Sequence, residues 1–494
     1  MPQDKVERIK ERVIMMKKLK NASKIFMIGL MLVLLAACLG REELTVNDPA
    51  PLTDLSPDEY LNSAFKDAFP IHYESYLRNM GNGSPPVSKF IPEYEPYLPI
   101  LFAGFPFEQE YNTTRGHTYA VEDVLNIARI SDRSIGSCMT CKSTIVTPLL
   151  KELGDDYWAA NFRGDLLPLL EEMAAVGGLE ELGEYGHVSI GCSDCHNPVT
   201  MELRITRPSL TNALARQGVD VTEATRNEMR TYVCAQCHVE YYFEPDLKKV
   251  RFPWDYGTKP EEMFEYFQTT ALEEGFEYDY LHAVSGAPII KAQHPEYELW
   301  SYGSHGRAGV SCSDCHMPFE RRDDRRKISS HYWVSPMETI EQSCRTCHSD
   351  KTERYIIERV GEIQERHLDA VHEAQDLTVE AHYFVNRMIT AGVQQNQINL
   401  AQAFVRESQW YTDIIAAENS DGFHNPQGSM DTLRMASDAA NNAIKLATEE
   451  LSKLNVDLDE LRSEIIKVKE AVLNEEDPFL KHTHATNSFF PSQK

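Results

Sequence analysis

The feature that most constrains this chain is its cysteine spacing. Ten of its 11 cysteines fall in five C-x-x-C pairs: Cys138/Cys141, Cys192/Cys195, Cys234/Cys237, Cys312/Cys315 and Cys344/Cys347. Only Cys38 stands outside the pattern. Four pairs are followed at once by a histidine: His196, His238, His316 and His348. The first is followed by Lys142 instead. Two thiols three residues apart, with an imidazole next, is the arrangement that holds a c-type haem by two thioethers and one axial ligand. Zinc sites also use C-x-x-C but need no histidine at that place. A disulfide framework would leave the four histidines unexplained. At 494 residues, length alone suggests two to four domains. Five large, flat, apolar haems change that expectation, because a chain wrapped around them can be one compact domain.

Ligand counting follows. The chain has 17 histidines. Four serve as proximal ligands, and four electron-carrying haems with two imidazoles each need four more. The remaining histidines are enough. The Lys142 haem then requires no distal ligand and can keep an open face, which a catalytic iron needs and a relay does not. A lysine amine ligates only when neutral, a form that iron coordination and burial both favour. A degenerate site that has lost its ligand is the plain alternative. It sits poorly with a lysine at the histidine position itself, among four intact motifs.

Composition excludes one class of partner. The formal net charge is −27. Residues 1–37 hold eight Lys/Arg and three Asp/Glu, or +5, so the rest carries −32. That argues against nucleic acid. It leaves anionic substrates open, because a local basic funnel can oppose the global sign.

The N-terminus reads as an export signal. A basic stretch ends in Lys24, and the apolar run Ile25 to Ala37 precedes Cys38. Leu35-Ala36-Ala37-Cys38 resembles a bacterial lipoprotein box, so residues 1–37 are expected to be removed and Cys38 lipidated. An uncleaved anchor is the alternative; either places the protein at a membrane surface on the extracytoplasmic side. Residues 38–60, polar and rich in Pro and Asp, read as a tether. Residues 61–350 read as the haem-binding region, 351–475 as a long-helix region and 476–494 as a polar tail. Within the long-helix region, 352–383, 396–418 and 430–473 carry helix formers, no proline and three-four apolar spacing. Ile356, Val360 and Ile363, then Leu433, Ala436, Ala440, Ile444, Ala447 and Leu451, mark the apolar faces. Periodicity leaves open whether these faces build an intramolecular bundle or a dimer interface. The fold class expected is mainly α, a multihaem cytochrome c with a compact haem-packed domain and long C-terminal helices.

The motif order, one C-x-x-C-K before four C-x-x-C-H, resembles that of the pentahaem, ammonia-forming cytochrome c nitrite reductases. Two further segments carry the resemblance: Cys234-Ala235-Gln236-Cys237-His238-Val239-Glu240-Tyr241-Tyr242-Phe243 and Lys291-Ala292-Gln293-His294-Pro295-Glu296. It covers roughly residues 85–430 and implies six-electron reduction of nitrite to ammonium. An Arg, a Tyr and a His would stand above the open iron: Arg129 (with Arg133 as competitor), Tyr241 and His294. The resemblance also implies calcium, held by Glu240, the Tyr241 and Lys291 carbonyls, and Gln293; hard oxygen donors suit that ion. It assigns distal ligands: His117 to the Cys234/Cys237 haem, His331 to Cys192/Cys195, His305 to Cys344/Cys347 and His424 to Cys312/Cys315. His187 competes and reads as structural. His367, His372 and His382 read as surface or interface residues of a long helix, and His482 and His484 lie in the tail. The implied partners are a membrane quinol-oxidising multihaem cytochrome as donor and a second copy of the chain. The competing functions are a non-catalytic pentahaem wire and a hydroxylamine or sulfite reductase of related haem packing.

Overall fold

A computed structural model describes residues 51–91, 94–178, 181–321 and 327–473. The export segment, Cys38, and His482 and His484 in the tail lie outside the described residues. No described helix is long and apolar enough to cross a membrane. The expected tether is engaged from Leu52 onward: the Leu52 and Thr53 N–H groups donate to the Val199 carbonyl at 2.8 and 3.2 Å.

Short helices and turns dominate the described residues up to 350, and four long helices follow: α1 (Glu353–Thr390), α2 (Gln395–Ala416), α3 (Pro426–Lys453) and α4 (Leu458–Leu473). Strand pairing among the described residues is confined to small antiparallel hairpins: β1 (Tyr242–Phe243) with β2 (Val250–Arg251), β3 (Tyr280–Leu281) with β4 (Pro288–Ile289), and β5 (Phe319–Arg321) with β6 (Lys327–Ser329). The mainly helical architecture with long C-terminal helices is as expected.

Cap chemistry fixes the long helices. The Thr352 hydroxyl accepts from Tyr355 N at 3.2 Å and starts α1. Its end passes through Gly392 at φ 77°, with Val393 N donating to Met388 O at 3.0 Å. α3 opens with Pro426 at its first position and the Asn425 side chain accepting from Gly428 N. The periodic run expected over 430–473 is two helices, not one. Asn455 takes φ 56°, a left-handed value asparagine tolerates. The Asp457 carboxylate then accepts from Asp459 N and Glu460 N, each at 3.0 Å, and caps α4.

Packing places the apolar faces inward. Leu433, Ala436, Ala440, Ala447 and Leu451 are buried within the chain itself, and the alanines let α3 lie close against α1 and α2. Ile356 and Val360 are buried against Ile340 and Phe423. The expectation for the α1 histidines is corrected here. His367 and His382 are buried, because α1 runs through the core and not along the surface. The His382 ring stacks on His282 at 3.6 Å, with Nδ1 2.8 Å from Ser285 Oγ and Nε2 2.6 Å from Gln409 Oε1. His372 is half-buried, its Nε2 against the Tyr94 carbonyl. His187 is buried, as a structural histidine should be.

A candidate haem-lined active site

Each motif is built on a helical turn, where residues three apart share a face. Gly136–Met139, Cys192–Cys195, Arg226–Ala235 and Cys312–His316 are the turns or helices carrying the first four. Short-range bonds then fix the next residue: His196 N to Cys192 O at 2.9 Å, His238 N to Cys234 O at 3.0 Å, His348 N to Cys344 O at 2.9 Å and Lys142 N to Met139 O at 2.9 Å. Two turns are capped by their own aspartates, Asp194 accepting from Gly191 N and Asp314 from Ser311 N. The Thr225–Glu228 capping box opens the helix of the third motif.

The ten cysteines form no disulfide, and all of them line one connected cavity of about 3250 Å³. That exceeds the ~300–1,000 Å³ typical of a small-ligand pocket several-fold. The motifs adjoin: the Cys141 thiol reaches Cys237, and Cys234 reaches Cys312. Arg207, fully buried, ties the first motif to the second. Its guanidinium donates to Thr140 O at 2.6 Å, Ser143 O at 2.9 Å and Asp194 Oδ1 at 2.7 Å.

Histidine placement tests whether haems fit. A metal–imidazole bond of about 2 Å, plus roughly 1.1 Å to the ring centre, would set two rings on opposite sides of one metal about 6.2 Å apart. The centroid separations are 6.1 Å for His117/His238, 6.3 Å for His196/His331, 6.3 Å for His305/His348 and 6.4 Å for His316/His424. These are the four expected pairs, and all eight rings line the cavity. Burial pushes His117 and His331 down to about 3 and His316 to about 4, keeping them in the neutral form that metals bind. Several Nδ1 atoms already have partners: Met201 O for His196 at 2.8 Å, Ser329 O for His331 at 3.1 Å and Val334 O for His316 at 3.3 Å. Such bonds orient a ring and leave Nε2 for the metal. His424 has a carboxylate instead, Glu418 Oε1 at 2.7 Å. Burial pulls its pKa down, but Glu418 outweighs this and raises it to about 9.

Around Lys142 no such pair forms among the described residues; the expected trio gathers there. The Tyr241 and His294 rings are 6.0 Å apart. Arg129 is held with its guanidinium over Phe107 at 4.1 Å and donates to Glu110 O at 3.3 Å. Its charge acts on Tyr241 and Cys138. Arg133 is exposed on the same cavity. Burial, then the nearby thiols, raise Tyr241 far above the usual phenol range, so the phenol stays protonated.

Two hairpins set the neighbouring oxygen donors. Glu240 and Tyr241 directly precede β1, and Lys291 to His294 follow β4. Gln293 N donates to Glu240 Oε2 at 2.5 Å, so the two segments meet. Glu240 Oε1 is buried with no hydrogen-bond partner. Burial, with Glu298 adjacent, pushes its pKa well above the carboxylate range. An orphaned buried carboxylate oxygen beside the Lys291–Gln293 segment fits a hard cation. The Lys291 ammonium does not compete for that place: it donates to Ala292 O and to Asp413 at 3.1 Å.

Sequence reasoning missed Glu296, Glu298, Glu418 and His72. Glu298 Oε1 accepts from Glu240 N at 2.8 Å and Trp254 Nε1 at 2.7 Å. Glu296 reaches both His238 and His294. It stands inside the quoted Lys291–Glu296 segment, so a signal existed; Glu418 offered none. His72 lines the cavity beside His331, 5.4 Å between rings.

Five attachment motifs on one cavity, four of them facing a second histidine, define a c-type multihaem cytochrome. Comparison with known proteins sharpens the class. A model of the cytochrome c552 family matches residues 62–488. Cytochrome c nitrite reductase subunit NrfA of Nitratidesulfovibrio vulgaris is 39% identical over 485 residues, 90% of this chain and 89% of that protein. Cytochrome c-552 of Bacteroides thetaiotaomicron is 37% identical over 409 residues, 80% and 78% of the two chains. The solved cytochrome c nitrite reductase catalytic subunit of Desulfovibrio desulfuricans ATCC 27774, described with two calcium sites, superposes with TM-score 0.72 at 37% identity, covering 83% of this chain and 91% of that one. The chain belongs to the cytochrome c552 family.

Proposed function

We propose that this protein reduces nitrite to ammonium at the Lys142 haem, fed through four bis-histidine haems. The observation that carries the reading is the convergence of Arg129, Tyr241 and His294 beside the one motif that lacks a second histidine. Nitrogen passes from +3 to −3, so one nitrite takes up six electrons and eight protons and gives ammonium and two waters. Five covalent haems would be held by the ten cysteines, with Lys142, His196, His238, His316 and His348 as proximal ligands. His117, His331, His424 and His305 would be the distal ones. A haem held by Cys138, Cys141 and Lys142 would supply an iron able to take up a small anion and pass it electrons. Around that iron the chain's residues do the rest. Arg129, fixed by its aromatic shelf, offers a guanidinium to the substrate oxygens. His294 offers a ring nitrogen for proton transfer, and the protonated Tyr241 phenol a further donor. Calcium held by Glu240, Gln293 and the Tyr241 and Lys291 carbonyls would lock the segments bearing Tyr241 and His294 together.

Residues 61–350 form the catalytic region in this reading, and 351–475 support it while supplying His424 and a dimer face. Export through residues 1–37, lipidation at Cys38, a tether over 38–60 and a membrane quinol-oxidising cytochrome as donor complete the proposal. The test is turnover with reduced viologen, measuring ammonium, with nitrite, hydroxylamine and sulfite compared. Nitrite-dependent ammonium and a high-spin haem signal that shifts with nitrite are expected. A fully low-spin protein without turnover would leave an electron wire. Lys142→His is expected to retain haem and lose turnover.

A further inference from the structure

The rings of His238 and His294 are 5.9 Å apart at 62°, and the Nδ1 atom of each lies near one carboxylate. Glu296 Oε2 is 3.6 Å from His238 Nδ1 and 3.3 Å from His294 Nδ1. Its other oxygen accepts from the Asn419 side chain. Its backbone is set by Glu296 N donating to His294 O at 2.9 Å, and Tyr297 N donates to His238 O at 3.2 Å. Glu296 is only 9% exposed, so solvent cannot replace it. The three groups could gather a metal ion. Two features favour a different reading. His238 has its second ring neighbour, His117, at the separation an iron requires. The carboxylate also already sits between the two Nδ1 atoms.

We infer that Glu296 is a positioning residue shared between the relay haem of Cys234/Cys237 and the active-site histidine. A proton on His294 Nδ1 would meet the buried Glu296 Oε2, 3.3 Å away and itself without a hydrogen-bond partner, and would leave Nε2 as the unprotonated ring nitrogen. The same carboxylate orients His238 and adds negative charge behind its iron, favouring the ferric state. One group therefore fixes the proton-transfer tautomer at the catalytic iron and the potential of its neighbour. The Cys141–Cys237 approach would set the two haems side by side.

The inference rests on the nitrite reading for its kinetic arm alone; the potential and spectrum of the relay haem read it independently. The test is Glu296→Gln in the full haem-loaded protein, with Glu296→Asp as the charge-keeping companion. A redox titration followed by electron paramagnetic resonance should show one low-spin haem moved to higher potential in Glu296→Gln, the others unmoved. Nitrite kcat should fall at least tenfold, with KM changed less than threefold. Glu296→Asp should keep most of the potential and recover part of kcat. An unmoved potential overturns the inference, whatever turnover does. So does a moved potential with unchanged kcat in a wild type that reduces nitrite. If the wild type makes no ammonium, the function proposed above fails, and the potential shift still decides whether Glu296 acts on the relay haem. If Glu296→Gln does not fold, Glu296→Ala in the same redox titration decides: an unmoved relay-haem potential overturns the inference.

Discussion

Glu418 Oε1 stands 2.7 Å from His424 Nδ1, with the carboxylate side chain wholly buried. Ser420 holds it from two sides, its N–H at 3.0 Å and its hydroxyl at 2.6 Å. A charged hydrogen bond to the outer nitrogen of an iron-bound imidazole makes the ring a stronger donor and favours the ferric state. His316, across the ring pair, has only the Val334 carbonyl. The haem of Cys312/Cys315 is therefore expected to lie low in potential. Glu418→Gln should raise that potential by on the order of 50 mV, given ~1.5–3 kcal/mol for a charged hydrogen bond, only part of which differs between redox states. Redox titration of the haem bands measures it.

The two arginines of the cavity should separate cleanly. Arg129 is fixed by Phe107, Tyr111 and Glu110 O, and its charge reaches Tyr241. Arg133 is exposed. Removing a fixed cation aimed at developing charge costs about 10²–10³ in rate, whereas a surface charge tunes only encounter. Arg129→Ala should lose nitrite turnover by roughly that factor. Arg133→Ala should stay within about twofold at physiological salt. Steady-state kinetics of both variants decide.

The orphaned Glu240 oxygen yields a metal-dependence prediction. Without a cation it is a buried carboxylate beside Glu298, an expensive arrangement. Calcium binding should stabilise the fold by about 2.7 kcal/mol at a hundredfold excess over Kd. Chelation of the wild type should lower both the melting temperature and nitrite turnover, and added calcium should restore them. Glu240→Gln should abolish that calcium response, as read by differential scanning calorimetry and turnover in the two conditions.

Legibility in the sequence tracked how local the physics was. The five motifs and the residue after each could be named, because each lies in a short stretch whose spacing carries its chemistry; the distal histidines and the Glu240–Gln293 set were implied only by the family resemblance, since their partners lie far apart in sequence. The α3/α4 break was hidden: Leu454-Asn455-Val456 keeps apolar periodicity, and only the left-handed Asn455 and the Asp457 cap end the helix. His367 and His382 were misjudged because their polarity suggests a surface. His382 is satisfied by Ser285 and Gln409, nearly a hundred and nearly thirty residues away. Glu418 lies six residues from His424 and Glu296 two from His294, but no motif marks either carboxylate, and the reach of Glu296 to His238 comes only with folding.

His382 gives the last prediction, on acid stability. It is fully buried, away from the haem-lined cavity, and stacked on His282. Burial lowers its pKa from 6.5 to about 3, with the Gln409 bond opposing. The native state thus keeps the ring neutral while the unfolded chain protonates below about 6.5. The unfolded state binds more protons in that window, so stability is full above 6.5 and declines as pH falls toward 3. The slope of ~1.36 kcal/mol per pH unit predicts a loss of about 2 kcal/mol from this group between pH 6.5 and 5. His382→Gln removes the titration and should flatten the pH dependence by that amount, although its stability at pH 7.5 is lower. Guanidinium unfolding followed by far-ultraviolet circular dichroism at pH 7.5 and 5 tests it. Equal losses in the variant and the wild type would mean that His382 does not carry the acid sensitivity.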